Sequence, residues 1–247
     1  MRYLILSDIH SNLEALEAVL RAAPPERFDK VLVLGDIVGY GADPNAVVDR
    51  VRALAPDIIV RGNHDKVASG VEPADGFNDA ARRAAMWTYN ALTSENRVYL
   101  AQLEAGPRII DETLEICHGS PVDEDEYIFE PTDAIEALRV TERPVCFFGH
   151  THVQIAYWLS GDSFDVIVTA ADEEMQIKLD PTRRYLINPG SVGQPRDGDP
   201  RAAYATYDSL AGLVVLRRVP YPVNDAQAKI AAAGLPEGLA RRLALGK

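Results

Sequence analysis

The sequence holds five histidines, His10, His64, His118, His150 and His152. Each follows an apolar run and lies in a loop-like stretch. Three residues able to offer oxygen stand in the same stretches: Asp8, Asp36 and Asn63. Carboxylate, imidazole and amide oxygen together suit Mn²⁺, Fe or Zn²⁺. The mixture is too rich in nitrogen for Mg²⁺ or Ca²⁺ to come first. It contains no thiolate, so a structural zinc site is not expected. Seven residues are enough for two ions if one carboxylate bridges, and Asp36, on the tight Gly35-Asp36 turn, is the natural bridge. One ion would take Asp8, His10 and His152, the other Asn63, His118 and His150. Two ions about 3.5–4 Å apart can bind a hydroxide between them and clamp the oxygens of an in-line displacement. That is chemistry for cutting phosphate esters. His64 is not needed as a ligand. Beside such a centre it can donate a proton to a leaving alkoxide or stabilise charge on the phosphoryl oxygens. Taken singly, a histidine near a strand is usually a satisfied core residue. All five at strand ends, beside three oxygen donors, reverse that balance.

The elements that must position these residues are legible from apolar runs and breakers. Residues 2–7 read as a buried strand and deliver Asp8 and His10. Asn12 reads as the N-cap of a helix to about Ala23, with Leu13, Leu16, Val19 and Leu20 at helical spacing and Pro24-Pro25 as the stop. Val31–Leu34 is a second strand, ending in Gly35-Asp36, and a helix follows to about Leu54. Ile58–Val60 is a third strand, ending in the loop Arg61-Gly62-Asn63-His64-Asp65. Strand, loop and helix in repetition predict a mainly parallel sheet whose loops share one rim, where open α/β sheets hold ligands. Residues 66–110 form a helical excursion, with helices over 79–92 and 95–103. Trp87 and Tyr89 in it read as core residues. Leu114–Cys117 delivers His118, residues 132–140 are a short helix, and Val145–Phe148 leads into Gly149-His150-Thr151-His152. Beyond that turn, short strands over 155–159, 164–169, 175–179, 185–187, 203–207 and 213–219 predict a strand-rich, antiparallel part. The end is a helical tail, 224–247, broken at Gly234-Leu235-Pro236.

Composition bounds the partners. The chain has 247 residues, 47% hydrophobic, enough for one α/β domain with a sizeable core. A formal charge of −12 argues against a protein that grips extended nucleic acid, or an anionic membrane, over a broad basic face. A phosphate substrate then needs local positive charge from metals and a few arginines. Cys117 and Cys146 sit inside apolar runs and read as buried free thiols. The N-terminal apolar run meets Asp8 at once and does not read as a signal peptide, so a cytoplasmic location is expected. Asp65 reads as a loop-holding residue and Asn12 as a cap. Arg61 could face the site or solvent. The acidic run Asp123-Glu124-Asp125-Glu126 reads as a solvated face, with repulsion of polyanions or cation binding as the alternative.

The series Asp8-Ile9-His10, Gly35-Asp36, Gly62-Asn63-His64-Asp65, His118 and Gly149-His150-Thr151-His152 resembles the calcineurin-like metallophosphoesterases, from residue 1 to roughly residue 220. The resemblance implies a four-layer α-β-β-α sandwich, α/β (α+β) in class, with two mixed sheets flanked by helices in one domain over 1–247. It also implies a dinuclear centre and hydrolysis of phosphomonoesters or phosphodiesters. Protein phosphatases of the family usually carry Asp-Arg-Gly after the Gly-Asp pair. Here the stretch is Asp36-Ile37-Val38-Gly39-Tyr40-Gly41. With Asn188-Pro189-Gly190-Ser191, the chain is more similar to the small prokaryotic phosphodiesterase branch. The expectation is a phosphodiesterase for a small phosphodiester or nucleotide, using a metal-bridged hydroxide. Its cofactors are two divalent ions, Mn²⁺ first, with Fe, Ni or Zn as alternatives. Arg196 is the candidate phosphate contact. The competing readings are a phosphomonoesterase or protein phosphatase, and a non-catalytic binding or scaffold protein of the same fold.

Overall fold

The computed structural model describes residues 1–168 and 174–247. The last position of the strand predicted over 164–169, Thr169, lies outside the described residues.

Two six-stranded sheets face one another. The first has the order β3 (Ile58–Ile59), β2 (Lys30–Val33), β1 (Arg2–Leu6), β11 (Ala202–Asp208), β12 (Leu213–Val219) and β9 (Met175–Lys178). The second runs β4 (Arg108–Ile109), β5 (Leu114–Ile116), β6 (Val145–Phe147), β10 (Arg184–Pro189), β7 (Gln154–Ser160) and β8 (Ser163–Val168). Alternation along β1 shows why the sheets stack. Tyr3 and Ile5 point into the space between the sheets, where they join Leu32, Ile116 and Phe147. Leu4 and Leu6 point the other way, against the helices. Successive side chains take opposite faces of a strand, so a strand apolar at every position must be covered on both. The outer cover of the first sheet is α1 (Leu13–Ala22), α2 (Pro44–Leu54), α7 (Val223–Ala232) and α8 (Glu237–Leu243). The second sheet is covered by α6 (Pro131–Val140), whose Ala134, Ala137 and Leu138 pack on Cys146, Phe148 and Leu186. The layers are α-β-β-α.

The two mixed sheets implied by the resemblance are observed, and the parallel set expected from the strand–helix alternation divides between them. β1, β2 and β3 pair in parallel in one sheet, while β5 and β6 pair in parallel in the other. His118, His150 and His152 therefore reach the site from a different sheet than Asp8, His10, Asp36, Asn63 and His64. Beyond the Gly149-His150-Thr151-His152 turn the described strands pair antiparallel with one another, and β10 also runs parallel to β6, which precedes the turn. Local apolar runs specify strands but not their partners.

Local signals hold where side chains cap the backbone. Asn12 Oδ1 accepts from Ala15 N at 3.1 Å, starting α1. The stretch read as a loop after β3 is helical from Asn63 itself: α3 (Asn63–Ser69) precedes α4 (Asp79–Ala91) and α5 (Ser94–Ala101). Asp65 Oδ2 accepts from Gly62 N at 3.0 Å, closing the first turn. α3 escaped the sequence reading because its buried face carries Asp65 and Lys66, so no apolar periodicity marks it. Trp87 packs partly buried against the helical core, whereas Tyr89 lies under Arg97, 4.2 Å from its guanidinium carbon, rather than in that core. Cys117 and Cys146 are buried and free, with Sγ atoms 3.8 Å apart. Among the described residues no helix is long and apolar enough to cross a membrane.

Candidate metal centre

The loops that leave β1 and β2 are laced together by backbone hydrogen bonds. Asp8 N donates to Gly35 O, His10 N to Asp36 O and Ser11 N to Ile37 O. Asn188 and Ser191 tie in the later segments. Asn188 Nδ2 donates to Gly149 O at 2.7 Å and Thr151 Oγ1 at 3.0 Å, and Ser191 Oγ donates to Asp8 O at 2.7 Å. The Asn188-Pro189-Gly190-Ser191 stretch thus ties the loops together through the side chains of Asn188 and Ser191.

These loops bring seven of the sequence-predicted residues into two adjoining groups. Asp8, His10, Asp36 and His152 can offer one atom each within 4.8 Å of one another, and so can Asp36, His118 and His150. Asn63 joins the second group, with Oδ1 3.3 Å from His118 Nε2. Asp36 belongs to both groups. Its Oδ1 accepts from His64 N at 2.9 Å, while Oδ2 lies 3.4 Å from His10 Nε2 and 3.6 Å from His118 Nε2. Asp8 is oriented the same way. Ser7 Oγ and His150 N donate to Oδ2, and Oδ1 faces His152 Nε2 at 3.3 Å.

The tautomers follow from the partners. His10 Nδ1 meets Val38 O at 3.1 Å, His118 Nδ1 meets Leu34 O at 2.7 Å, and His152 Nδ1 meets Gln194 O at 2.6 Å. A carbonyl oxygen only accepts, so in the neutral rings each Nδ1 carries the proton and each Nε2 a lone pair. His150 is reversed: Nε2 donates to Asp125 O at 3.1 Å, leaving Nδ1 free to coordinate. The lone pairs of His10 Nε2 and His152 Nε2 then face one another at 3.1 Å, beside carboxylate oxygens. That arrangement repels unless a cation lies among the donors. Donors about 2.0–2.1 Å from one ion, at roughly 90–110° to each other, stand about 3.0–3.4 Å apart, so the observed spacing fits. Metal-bound histidines commonly donate their other N–H to a carbonyl, as these do.

Burial and charge agree. Burial pushes His10, His64 and His150 well below the usual histidine range, and other imidazoles add to the effect. Burial opposes charge on His118 too, but Asp36 and Asp8 outweigh it and raise its pKa. Burial drives Asp36 well above the carboxylate range. Asp65 and Asp8 push the same way, against the pull of His118. A cation beside Asp36 would offset this cost. Backbone strain is concentrated at the centre as well: Asp8, His10, Asp36, His150 and His152 all adopt positive φ, between 49° and 66°. Gly35 makes the crossing possible, since a Cβ there would stand 2.7 Å from Gly62 N and 2.8 Å from His118 Nδ1.

His64 sits apart from both groups. Its ring centroid lies 5.0 Å from that of His10, 4.3 Å from Tyr40 and 4.6 Å from Phe77, and its buried Nδ1 has no hydrogen-bond partner among the described residues. Arg196 faces the first group. Nη2 lies 3.2 Å from Gln194 Oε1 and 3.4 Å from Tyr40 Oη, and its charge depresses His10, His64 and His152. Arg61 instead forms a two-point pair with Glu124, at 2.9 and 2.7 Å. The acidic run is not simply solvated, because Glu124 and Asp125 hold Lys66 Nζ at 3.3 and 2.5 Å. No local sequence signal marks the parts played by Ser7, Phe77, Gln194 and the Asp125 carbonyl. Tyr127 stacks on His150 at 3.8 Å, and its place beside the acidic run was the one available signal.

Comparison with known proteins agrees with this geometry. Over 250 residues the chain is 38% identical to an uncharacterized protein of Methanocaldococcus jannaschii, covering 98% of this chain and 97% of that one. The crystal structure of a metallophosphoesterase from Sphaerobacter thermophilus is 43% identical and superposes with a TM-score of 0.87 over 100% of both chains. A hypothetical protein from Pyrococcus horikoshii OT3 shares the fold at 21% identity, with a TM-score of 0.79 over 100% of this chain and 98% of its own. The profile of the calcineurin-like phosphoesterase superfamily domain matches residues 1–210. With its clustered Asp and His donors forming a divalent-metal centre, this chain belongs to the calcineurin-like phosphoesterase superfamily.

Proposed function

We propose that this protein is a phosphodiesterase for small phosphodiesters or nucleotides, holding two divalent ions with Mn²⁺ preferred. The observation that carries the reading is the pair of donor groups sharing Asp36. Asp8, His10 and His152 would hold one ion, Asn63, His118 and His150 the other, and Asp36 Oδ2 would serve both. When bound, the pair supplies an activated water and neutralises the phosphoryl oxygens.

The chain's own groups do the rest. The carbonyls of Val38, Leu34 and Gln194 fix the imidazole tautomers. Arg196 has no carboxylate partner among the described residues, which leaves its guanidinium free to grip a phosphate oxygen. His64 Nδ1 is closed off against Gly39, so its Nε2 is the nitrogen left to serve the substrate. Burial favours the neutral ring, and a neutral His64 acts as a hydrogen-bond donor to the leaving oxygen.

The test is hydrolysis of bis(p-nitrophenyl) phosphate by Mn²⁺-loaded protein, with metal counted per chain. Turnover with two ions bound supports the reading, and His64→Ala should then lose about 10²–10⁴ in kcat while keeping both ions. Absence of turnover with every divalent ion tried would falsify it.

A further inference from the structure

A cavity of about 250 Å³ opens beside the second donor group. Asn63, His64 and His150 contribute to it, so it adjoins both the centre and the histidine assigned to the leaving oxygen. Tyr40, Phe77 and Tyr127 supply rings to its lining. Two of these rings are fixed by neighbours. Phe77 lies 4.6 Å from His64, and Tyr127 stacks on His150 at 3.8 Å and on Phe129 at 5.1 Å. Tyr127 and Phe129 remain 42% and 59% exposed, leaving aromatic surface open at this side of the centre.

Charge restricts what can enter. The lining contains no lysine or arginine, while Glu72 and Asp125 are part of it. The ammonium that pairs with both carboxylates, Lys66 Nζ, is not part of the lining, and its side chain is only 2% exposed. Arg196 stands at the rim of the cavity toward the other donor group, where it reaches the hydroxyls of Tyr40 and Tyr127. A reacting phosphate at the centre therefore meets positive charge, whereas a second phosphate further along the leaving group, past Tyr127 and toward Glu72 and Asp125, would meet the two carboxylates. Aromatic walls suit a flat, uncharged ring, which can stack without desolvating a charge.

We propose that this cavity takes the leaving alcohol of the substrate through a neutral aromatic ring, as in a nucleoside 5′-ester, and turns away leaving groups that carry further phosphate. The assignment rests on the phosphodiesterase reading, since the cavity is identified by its place beside the reacting phosphate.

Two methyl diesters test it, one of adenosine 5′-phosphate and one of ribose 5-phosphate. Both release the same primary alkoxide and differ only in the base. kcat/KM for adenosine release is expected to exceed that for ribose release by about tenfold, the lower part of what a base–ring stack contributes. Phe77→Leu and Tyr127→Leu, each checked for a native melting transition, should shrink that ratio toward one. The methyl ester of adenosine 5′-diphosphate should be about tenfold poorer or worse, because its leaving group carries a charge into the acidic side. Calorimetric titration of metal-free protein with adenosine, benzyl alcohol and ribose reads the ring site without turnover. Adenosine binding above ribose supports it, and benzyl alcohol separates a site for nucleobases from a site for any arene. Equal rates for the two diesters together with equal binding of adenosine and ribose would overturn the proposal. Should bis(p-nitrophenyl) phosphate resist hydrolysis, the phosphodiesterase reading fails by itself, and the calorimetric comparison still decides the ring site.

Discussion

The two halves of the centre are built on different foundations. His10 and His152 lean on the backbone carbonyls of Val38 and Gln194, and Asp8 is oriented by Ser7 and the His150 amide. All of these supports are buried. His118 has a comparable anchor in Leu34 O, but its companion His150 leans on Asp125 O, in a loop held by ion pairs. That loop is fastened by Arg61 to Glu124 and by the buried Lys66 to Glu124 and Asp125, whose carboxylates are partly exposed. Asn63, half-buried, completes this side. A frame of buried backbone hydrogen bonds opens only with larger unfolding, whereas a loop clamped by partly exposed charges opens locally. Under the proposed two-ion reading, the first half should therefore hold its ion more tightly, and the second should exchange ion and ligand on the side where the cavity opens.

The largest test removes what the halves share. Asp36→Asn is expected to lower metal content at both positions and to reduce kcat by more than about 100-fold, above the 10- to 100-fold typical of residues that only support ligands. Metal analysis of the purified variant and kinetics on an aryl diester check this, and loss from one half alone would break the symmetry assigned to Asp36. Next in size is Lys66→Met, which releases the loop while keeping an apolar stem. Calorimetric Mn²⁺ titration should show the weaker binding step losing about 10–100-fold and the tighter step unchanged. Equal weakening of both steps would show that the loop and the frame are not separate supports.

Ser191→Ala probes the frame. Its hydroxyl donates to Asp8 O and accepts from Gln194 N, both at 2.7 Å in the interior. Leaving these groups short of a partner should cost about 1–3 kcal/mol, read as a lower urea midpoint with an unchanged slope. The smallest effect is on pH dependence. Glu124 lies below its ordinary pKa, first because Arg61 hydrogen-bonds it. A depressed acid contributes stability above its unfolded pKa, near 4.5, and loses it as pH falls through the depressed folded value. Glu124→Gln should thus cost about 1 kcal/mol or less at pH 7 and flatten the acid limb between pH 5 and 3, followed by urea unfolding at each pH. A parallel acid limb in wild type and variant would remove the loop's charge pairs from the account.

The motif residues were legible because each motif is local: an apolar run, a breaker, then a ligand-type side chain within a few residues. Asn12 as a cap and Asp65 as a loop anchor were legible for the same reason, since the amides they cap, Ala15 N and Gly62 N, lie within one turn. Arg61 was undecidable, because its partner Glu124 is 63 residues away. α3 went unread because its buried positions carry charge, and the burial of Lys66 depends on a loop that comes some sixty residues later. Tyr127 and Phe77 stand in no motif, and it is the fold that sets one against His150 and the other against His64.

The sequence by itself determined the candidate donors and their order along the chain, since residue type fixes what can coordinate and local punctuation fixes which loops carry it. Only the tertiary structure decided that the donors come from two sheets, that Asp36 turns one oxygen toward both groups, and that one half rests on backbone and the other on ion pairs. The physical reason is that strand pairing, imidazole tautomers and charge pairing all depend on partners distant in sequence. Those partners meet only when both faces of the strands must be buried together.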